Sequence, residues 1–342
     1  MTMRDSKEER TMTLPPTIGV TGAAGFIGAN LVERLLEEGC TVIGVDDMSM
    51  GTTRNLAGLL DHPNFRFEEF DCRDATRMRE AMGHCDAIAH MAALKIPRYG
   101  GALKTLHVNV DGSHVALELG REIGAHVILA STSDVYGQAT PPFAEDDPIV
   151  LGPPQTRRWS YAASKYYDEH LALRMAEEEG LKVTILRFFN AYGARNHPSW
   201  WGGPLSVFFE DLLDGRDMEL HGDGRQTRSF TYVSDTVDGV VRALARPETS
   251  GEVINIGNDQ PIAIVDLAQK VQEAVGIEGP LRAKIVPLES IGGNYQDVRH
   301  RVPDLSKARR LLGFEPQVSL EEGLQKTLAW HLALRGETVE VA

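Results

Sequence analysis

The sequence has little of several features that would assign it to particular protein classes. Its three cysteines, Cys40, Cys72 and Cys85, show no metal-like spacing and form no even set for disulfides, so we expect reduced thiols in a cytoplasmic protein. No apolar run approaches the roughly 20 residues that a membrane-spanning helix needs. The sequence therefore predicts no membrane partner.

Positive charge is also scarce. The chain has 35 Lys and Arg residues against 49 Asp and Glu, which gives a formal net charge of −14. Because contact with nucleic-acid phosphates requires clustered Lys and Arg, this balance argues against nucleic acid as the main partner. It does not exclude a small anionic ligand, which needs only a few local cations.

The chain is long enough to bury a substantial interior. Its 342 residues are 42% hydrophobic, which suffices for one large core or two modest ones. Residues 1–15 are polar and charged and lack the apolar segment of a signal peptide, so we expect a disordered extension there.

From Thr17 onward, short apolar runs alternate with amphipathic stretches. This alternation predicts an α/β fold with a parallel sheet that is covered by helices on both faces. After Asn190 the rhythm breaks into an irregular, Gly- and Pro-rich stretch, and a return to the first core is predicted at residues 231–257. The clearest predicted strands and helices are Thr17–Thr21, Ile27–Glu38, Thr41–Val45, Ala87–His90, Leu103–Ile123, His126–Ser131, Tyr161–Glu179 and Val183–Phe188.

A glycine-rich turn joins the first predicted strand to the first helix. Gly22, Gly25 and Gly28 allow a tight turn, a close approach to a pyrophosphate and close packing of helix on strand. Asp46 ends the second strand, where a carboxylate accepts hydrogen bonds from ribose hydroxyls and repels a 2′-phosphate, which favours NAD over NADP. Asp71 ends another strand-like run and either contacts the adenine or caps a strand end.

Tyr161 and Lys165 stand four residues apart on a predicted helix, and so lie on one face of it, one turn apart. A nearby ammonium favours the phenolate form of a tyrosine and lowers its pKa. Such a tyrosine can accept a proton from an alcohol while hydride leaves the same carbon. The same spacing also arises by chance in many helices.

These motifs together resemble the extended, nucleotide-sugar branch of the short-chain dehydrogenase/reductase superfamily, called epimerase/dehydratase. The resemblance implies a Rossmann-type doubly wound parallel sheet with a smaller C-terminal substrate-binding lobe. It implies an NAD-binding domain at residues 16–190 plus 231–257 and a nucleotide-sugar-binding lobe at residues 191–230 plus 258–335. The resemblance rests on eight segments. They are the glycine turn with Phe26 and Ile27, Asp46, His90 to Ala93 with Ala92 at the cofactor, Asn109, Ser131 to Gly137, Tyr161 with Lys165, Arg187 to Asn190, and Gln226 to Phe230.

The resemblance also implies roles for single residues. Tyr161 would be the base that removes the sugar hydroxyl proton, and Lys165 would lower its pKa and hold the nicotinamide ribose. Thr132 would hydrogen-bond the substrate hydroxyl. The shared step of the family oxidises sugar C4 to a ketone with NAD. Family positions that hold the substrate diphosphate correspond to Asn190, Arg228 and Arg299.

The residues after Thr132 discriminate among the fates of that ketone. Ser133 and Asp134 resemble the Ser-Glu pair of UDP-glucuronate decarboxylases, with a carboxylate one methylene shorter. Arg301 falls where those enzymes carry an arginine near the reacting carbon, and Lys104 lies in a similar stretch. The alternatives are a salt-bridged or solvated Asp134, a surface Arg301, and a Lys104 on the solvated face of its helix.

The resemblance therefore implies an NAD-dependent UDP-glucuronate decarboxylase that gives UDP-xylose or UDP-4-keto-xylose. The alternatives are a 4-epimerase of UDP-glucose or UDP-glucuronate, a 4,6-dehydratase, and an NAD-binding sensor without turnover. The implied partner is a UDP-sugar. A homodimer is implied as well, through packing of the two long helices predicted at Leu103–Ile123 and Tyr161–Glu179. Trp200 and Trp201 either line the sugar pocket or pack their loop.

Overall fold

The computed structural model describes residues 12–95, 101–291 and 296–336. Most of the predicted disordered extension, residues 1–11, lies outside this range. The strands are β1 Thr17–Thr21, β2 Thr41–Asp46, β3 Phe65–Glu69, β4 Ala87–His90, β5 His126–Thr132, β6 Lys182–Phe188, β7 Ala191–Tyr192, β8 Met218–His221, β9 Thr227–Ser229, β10 Thr231–Tyr232, β11 Val253–Ile256, β12 Pro261–Ala263, β13 Ala283–Val286 and β14 His300–Arg301. The helices are α1 Phe26–Glu37, α2 Ala75–Met82, α3 Ala102–Ile123, α4 Trp159–Glu179, α5 Pro204–Leu213, α6 Val233–Leu244, α7 Ile264–Val275, α8 Ser306–Leu312 and α9 Leu320–Arg335.

Seven strands form the main sheet in the order β11-β6-β5-β4-β1-β2-β3. All six pairings are parallel. Strands β1, β4 and β5 are almost wholly buried, as expected when helices cover both faces of a parallel sheet. The strand order reverses between β1 and β4, and doubly wound folds bind ligands in the crevice beyond the carboxyl ends at this point. The predicted Rossmann-type fold is confirmed.

Shorter strands form three further sheets. β8 pairs with β13, β9 lies between β12 and β14, and β7 pairs with β10. The first two of these sheets come from residues assigned to the smaller lobe. β14 runs parallel to β9 and places Arg301 opposite Arg228. Within the described ranges, no helix is both long and apolar enough to cross a bilayer.

The glycine turn depends on two close approaches of the backbone. Gly22 has a φ of +70°, and a Cβ there would lie 2.8 Å from the amide nitrogen of Ala92. A Cβ on Gly28 would lie 1.9 Å from the carbonyl oxygen of Gly22. Only glycine at position 28 therefore lets α1 start this close to the end of β1.

We predict that Gly28→Ala destabilises the fold and lowers the content of bound NAD, because the new methyl group must push α1 away from the turn. Overpacking of this kind costs about 1–3 kcal/mol. Thermal unfolding and the NAD released on denaturation measure both effects. Gly39→Ala is the control: Gly39 has no atom within 4 Å of its Cβ position, and its positive φ of +83° strains the backbone away from the glycine turn. Equal NAD content in the two variants would contradict the prediction.

Candidate active site

Two cavities open at the carboxyl ends of the main-sheet strands. The glycine-turn cavity, of about 480 Å³, contains Gly22, Gly25, Gly28 and Asp46 in its wall. The Thr132 cavity, of about 340 Å³, is lined by Thr132, Ser133, Asp134, Asn190, Arg228 and Arg301 among others. Six residues line both cavities: Phe26, Ile27, Lys95, Ser131, Tyr161 and Phe188. Tyr161 therefore lies where the two cavities meet.

Asp46 is held at the end of β2 by backbone amides. Its Oδ2 accepts a hydrogen bond from Ala24 N at 3.0 Å, and its Oδ1 accepts one from Met48 N at 2.9 Å. Burial raises its pKa, and these amides oppose that effect. A Cβ on Gly51 would lie 2.8 Å from Asp46 Oδ1, so a glycine there keeps the space beside the carboxylate open. The glycines and Asp46 thus form a cradle that fits a dinucleotide.

Other predicted cofactor residues lie along the same cavity. Ala92 N donates to Thr21 Oγ1 at 3.2 Å, which fixes the end of β4 against the end of β1. Asp71 accepts hydrogen bonds from Arg73, which lowers the pKa of Asp71. Lys104 also lines the glycine-turn cavity and lies near Asp71. The structure therefore does not bring Lys104 into the Thr132 cavity, where the predicted substrate role would require it.

Tyr161 lies in the first turn of α4, directly beyond the end of β5. The Thr132 hydroxyl lies near its phenol and lowers the pKa of Tyr161, and both side chains line the Thr132 cavity. The first turn is pinned by Ser164 Oγ, which donates to Tyr161 O at 2.8 Å and accepts from Asn109 Nδ2 on α3 at 3.0 Å. Packing of α3 on α4 thus positions the phenol at the junction of the two cavities.

The main influences on the pKa of Tyr161 come from groups other than Lys165, to which the sequence assigns a lowering effect. Burial, followed by the negative charge of Asp134, raises the pKa of Tyr161 above its ordinary value, while Thr132 and Arg301 oppose the rise. Lys165 Nζ instead donates to Asp168 Oδ2 at 2.9 Å, and both side chains are buried. A carboxylate beside the ammonium offsets the field that Lys165 would otherwise exert on the phenol.

Charged groups converge on the far side of Thr132. Thr132 Oγ1 accepts from Asp134 N at 3.1 Å and caps the short 3-10 turn Ser133–Tyr136. Asp134 accepts from Arg301 Nη2 at 2.5 Å and lies 3.3 Å from Arg158 Nη2. Burial alone would raise the pKa of Asp134, but the guanidinium groups of Arg301 and Arg158 lower it to about 2.

A second carboxylate was missed by the sequence reasoning. Asp297 Oδ1 accepts from Arg228 Nη2 at 2.9 Å and from Arg158 Nη1 at 3.4 Å. Asp134 and Asp297 thus separate three guanidiniums, which come from β14, from β9 and from the residue before α4, and adjacent like charges would otherwise repel. These five side chains carry three positive and two negative charges, which suits an anionic ligand.

The remaining predicted substrate residues are placed as follows. Ser133 Oγ lies 3.5 Å from Arg301 Nη1, and Asn190 Nδ2 donates to Ser229 O at 2.8 Å; both line the Thr132 cavity. Arg299 does not lie in that cavity, because its exposed guanidinium pairs with Asp223 at 2.9 Å. Its assignment to a diphosphate is therefore not supported by its position.

The adjacent residues Trp200 and Trp201 line different cavities. Trp200 lines the Thr132 cavity and stacks on His221, with ring centroids 4.5 Å apart. Trp201 lines the glycine-turn cavity beside His197 and Trp330. In the described part of the chain, no three His, Cys, Asp or Glu side chains form a group that could hold a metal ion.

Comparison with known proteins agrees with this geometry. The chain belongs to the NAD dependent epimerase/dehydratase family, whose model matches residues 18–257. This confirms the family resemblance and the predicted cofactor, NAD.

Three similar proteins illustrate the range of the family. The UDP-N-acetyl-alpha-D-glucosaminuronate decarboxylase of Bacillus cytotoxicus is 35% identical over 91% of this chain and 96% of its own. UDP-glucuronic acid decarboxylase 1 of Xenopus tropicalis is 35% identical over 90% of this chain and 70% of its own. The solved UDP-glucuronic acid 4-epimerase of Bacillus cereus, in complex with a fluorinated UDP-glucuronic acid and NAD, is 29% identical with a TM-score of 0.83, covering 93% of this chain and 99% of its own.

We predict that Asp134→Asn lowers the free energy of unfolding by about 2 kcal/mol at neutral pH, since one pKa unit corresponds to about 1.4 kcal/mol. The folded-state pKa of Asp134 is about 2, below its ordinary value of 3.8. The stabilisation that the Asp134 carboxylate gives to the folded protein is therefore fully present above pH 3.8, and it is lost as the pH falls towards 2. Denaturant unfolding of the two proteins between pH 3 and pH 7 measures the difference.

Asp223→Asn is the matched control, because Asp223 also pairs with an arginine but is exposed. It should change stability little at any pH. A difference between wild type and Asp134→Asn that stays constant down to the lowest measurable pH would contradict the assignment.

Proposed function

We propose that this protein is an NAD-dependent decarboxylase of UDP-glucuronate or a closely related UDP-uronate. The observation that carries the proposal is the Asp134–Arg301 pair, which lies in the Thr132 cavity beside the Tyr161 phenol. The names of the two similar decarboxylases support it. The substrate is a UDP-sugar with a carboxylate at C5, and the product is a UDP-pentose or its 4-ketone.

The cofactor would lie along the glycine-turn cavity. The backbone of Gly22, Gly25 and Gly28 leaves room for the pyrophosphate, and the start of α1 faces its negative charge. Asp46 would accept hydrogen bonds from the adenosine ribose, and Asp71 and Lys104 line the wall near it. NAD supplies the acceptor for the hydrogen that leaves sugar C4 as hydride.

Tyr161 would take the proton of the C4 hydroxyl in that step. The Thr132 hydroxyl, which lies near the phenol in the same cavity, would hydrogen-bond the substrate oxygen and bring that oxygen to Tyr161. Lys165, one turn further along α4, would hold the nicotinamide ribose. The product of the step is a 4-ketone, which makes the C5 carboxylate a β-keto acid.

The arginines would then act on the carboxylate. Arg301 is 7% exposed and lines the cavity, and a guanidinium forms forked hydrogen bonds to a carboxylate. With a pKa of about 2, Asp134 has no proton to give at neutral pH, so it is not the acid of a dehydration. We assign Asp134 to holding Arg301, and Arg228 and Asn190 to the diphosphate.

A 4-epimerase is the second candidate. The similar Bacillus cereus structure is a UDP-glucuronic acid 4-epimerase, and oxidation at C4 is common to both reactions. An epimerase needs only that the ketone rotates and takes the hydride back. The buried Arg301, paired with Asp134 beside the Tyr161 phenol, is explained better by a decarboxylase, in which the substrate carboxylate itself reacts, than by a 4-epimerase.

We also propose a homodimer in the cytoplasm. Helices α3 and α4 pack on each other and carry two large exposed side chains, Leu103 at 68% and Tyr167 at 53%. A second copy would cover both in a four-helix interface. The buried, unpaired cysteines are compatible with a reducing compartment.

Product analysis with UDP-glucuronate tests the proposal. We expect release of CO₂ in step with formation of UDP-xylose or UDP-4-keto-xylose. Trapping of CO₂ and mass spectrometry of the nucleotide sugar measure the two products. UDP-N-acetylglucosaminuronate, assayed in parallel, identifies the preferred substituent at C2. Quantitative UDP-galacturonate without CO₂ would refute the decarboxylase and favour the epimerase.

Tyr161→Phe is the control for both outcomes. It removes the proton acceptor and leaves the cavity shape nearly unchanged. Turnover should fall by a factor on the order of 10²–10⁴, the usual scale for a positioned proton-transfer group. Turnover near that of the wild type would remove Tyr161 from the mechanism.

A further inference from the structure

Three side chains on one face of α4 form a continuous stripe. Tyr161, Lys165 and Asp168 follow the spacing i, i+4 and i+7, which places them above one another on a helix. Lys165 and Asp168 are 1% and 0% exposed, and their Nζ and Oδ2 atoms lie 2.9 Å apart. The face that carries the reacting phenol therefore also carries a fully buried ion pair.

Asp168 is tied to the ends of the central strands. Ser113 Oγ on α3 donates to Asp168 Oδ2 at 2.8 Å and lies 3.4 Å from His90 Nε2. His90 Nδ1 lies 2.8 Å from Thr21 Oγ1 at the end of β1. This chain of hydrogen bonds connects Lys165 to the strand ends that form the wall of the glycine-turn cavity.

The arrangement is poorly suited to stability alone. Burying two charges costs desolvation energy that their attraction only partly repays. Asp168 Oδ1 is also buried and accepts no hydrogen bond from the described residues. A buried carboxylate with one unsatisfied oxygen points to a functional constraint, because buried polar groups are otherwise satisfied.

We propose that Asp168 is a positioning residue, which holds the Lys165 ammonium against α3 and offsets its charge as felt by Tyr161. The role rests on the proposed oxidation step at sugar C4. Lys165 by itself then does not make Tyr161 acidic, because the Asp168 carboxylate compensates the Lys165 charge on the same face of α4. Removal of the Asp168 charge should then make the phenol more acidic.

The other charged groups around the stripe come from several elements. His90, at the end of β4, is kept neutral because burial and the Lys165 charge lower its pKa to about 3. Glu169, next to Asp168, is paired with Arg187 of β6 at 2.7 Å. Asp134 and Arg301 face Tyr161 from the Thr132 cavity. The pKa of Asp134 is about 2, so neither Asp134 nor His90 changes charge near neutral pH.

The test compares phenolate absorbance against pH in NAD-loaded Asp168→Asn and wild type. The absorbance of the same protein with Tyr161→Phe added is subtracted from that of wild type and from that of Asp168→Asn. The difference isolates the titration of Tyr161. We expect the midpoint in Asp168→Asn to move to lower pH by roughly one unit, the scale of one charge two helical turns away. The acid limb of the pH profile of NAD⁺ reduction by substrate should move by the same amount.

Glu169→Gln is the matched control, since it breaks a buried ion pair on the next residue of the same helix. It should leave the midpoint unchanged even where it lowers stability. Asp168→Glu, which restores the carboxylate, should return the midpoint towards that of the wild type. Should Asp168→Asn not fold, Asp168→Ser carries the same comparison, because it also removes the carboxylate charge.

An unchanged midpoint, or a shift to higher pH, in the neutral variant would overturn the proposal. The phenolate titration needs no substrate. A negative result with UDP-glucuronate would therefore refute the proposed function while leaving the test of Asp168 intact.

Discussion

The contact between Asp134 and Arg301 is the interaction on which the organisation of the site depends. It joins the turn after β5, in the main sheet, to β14, in one of the smaller sheets. β14 pairs with β9 and so places Arg301 beside Arg228, while Arg158 approaches from the start of α4. Without carboxylates between them, three guanidiniums would repel one another in a poorly solvated cavity. The pair therefore both closes the Thr132 cavity and sets its charge.

The site divides the chemistry between two sets of residues that share Tyr161. The glycine turn and Asp46 line the cofactor side, the Lys165–Asp168 pair follows Tyr161 on α4, and these residues fit the proposed oxidation at C4 by NAD, the cofactor of the family. Ser133, Asp134 and Arg301 lie on the other side, around the position that a ketone would occupy. Relatives of similar identity are decarboxylases and epimerases, which is consistent with a common first step and a variable second one.

Much of the fold could be predicted from the sequence because its elements are long or strongly patterned. The strands Thr17–Thr21 and Ala87–His90 have the predicted bounds, since short apolar runs define them. The strands of the smaller sheets were not predicted. They are two to four residues long, and distant pairing, such as that of β13 with β8, creates them rather than local pattern.

The spacing on one element was enough to predict that Tyr161 and Lys165 share one helix, α4. Side-chain direction could not be predicted from the sequence: Arg299 pairs with Asp223 outside the Thr132 cavity, and Lys104 lines the glycine-turn cavity. Asp168 could have been found, because it continues the helical stripe of Tyr161 and Lys165 by three residues. Asp297 gave no such signal, since its partners, Arg158 just before α4 and Arg228 on β9, meet only in the folded protein.

The central claim is that the residues around the ketone, and not the tyrosine–lysine pair, choose the product. The most direct measurement is the ratio of CO₂ released to UDP-sugar oxidised at C4, in wild type and in Arg301→Gln. We expect that the variant still reduces bound NAD⁺ on addition of UDP-glucuronate but releases little CO₂, so that the 4-keto acid or its C4 epimer accumulates. Release of CO₂ by Arg301→Gln in the same ratio as by wild type would contradict it.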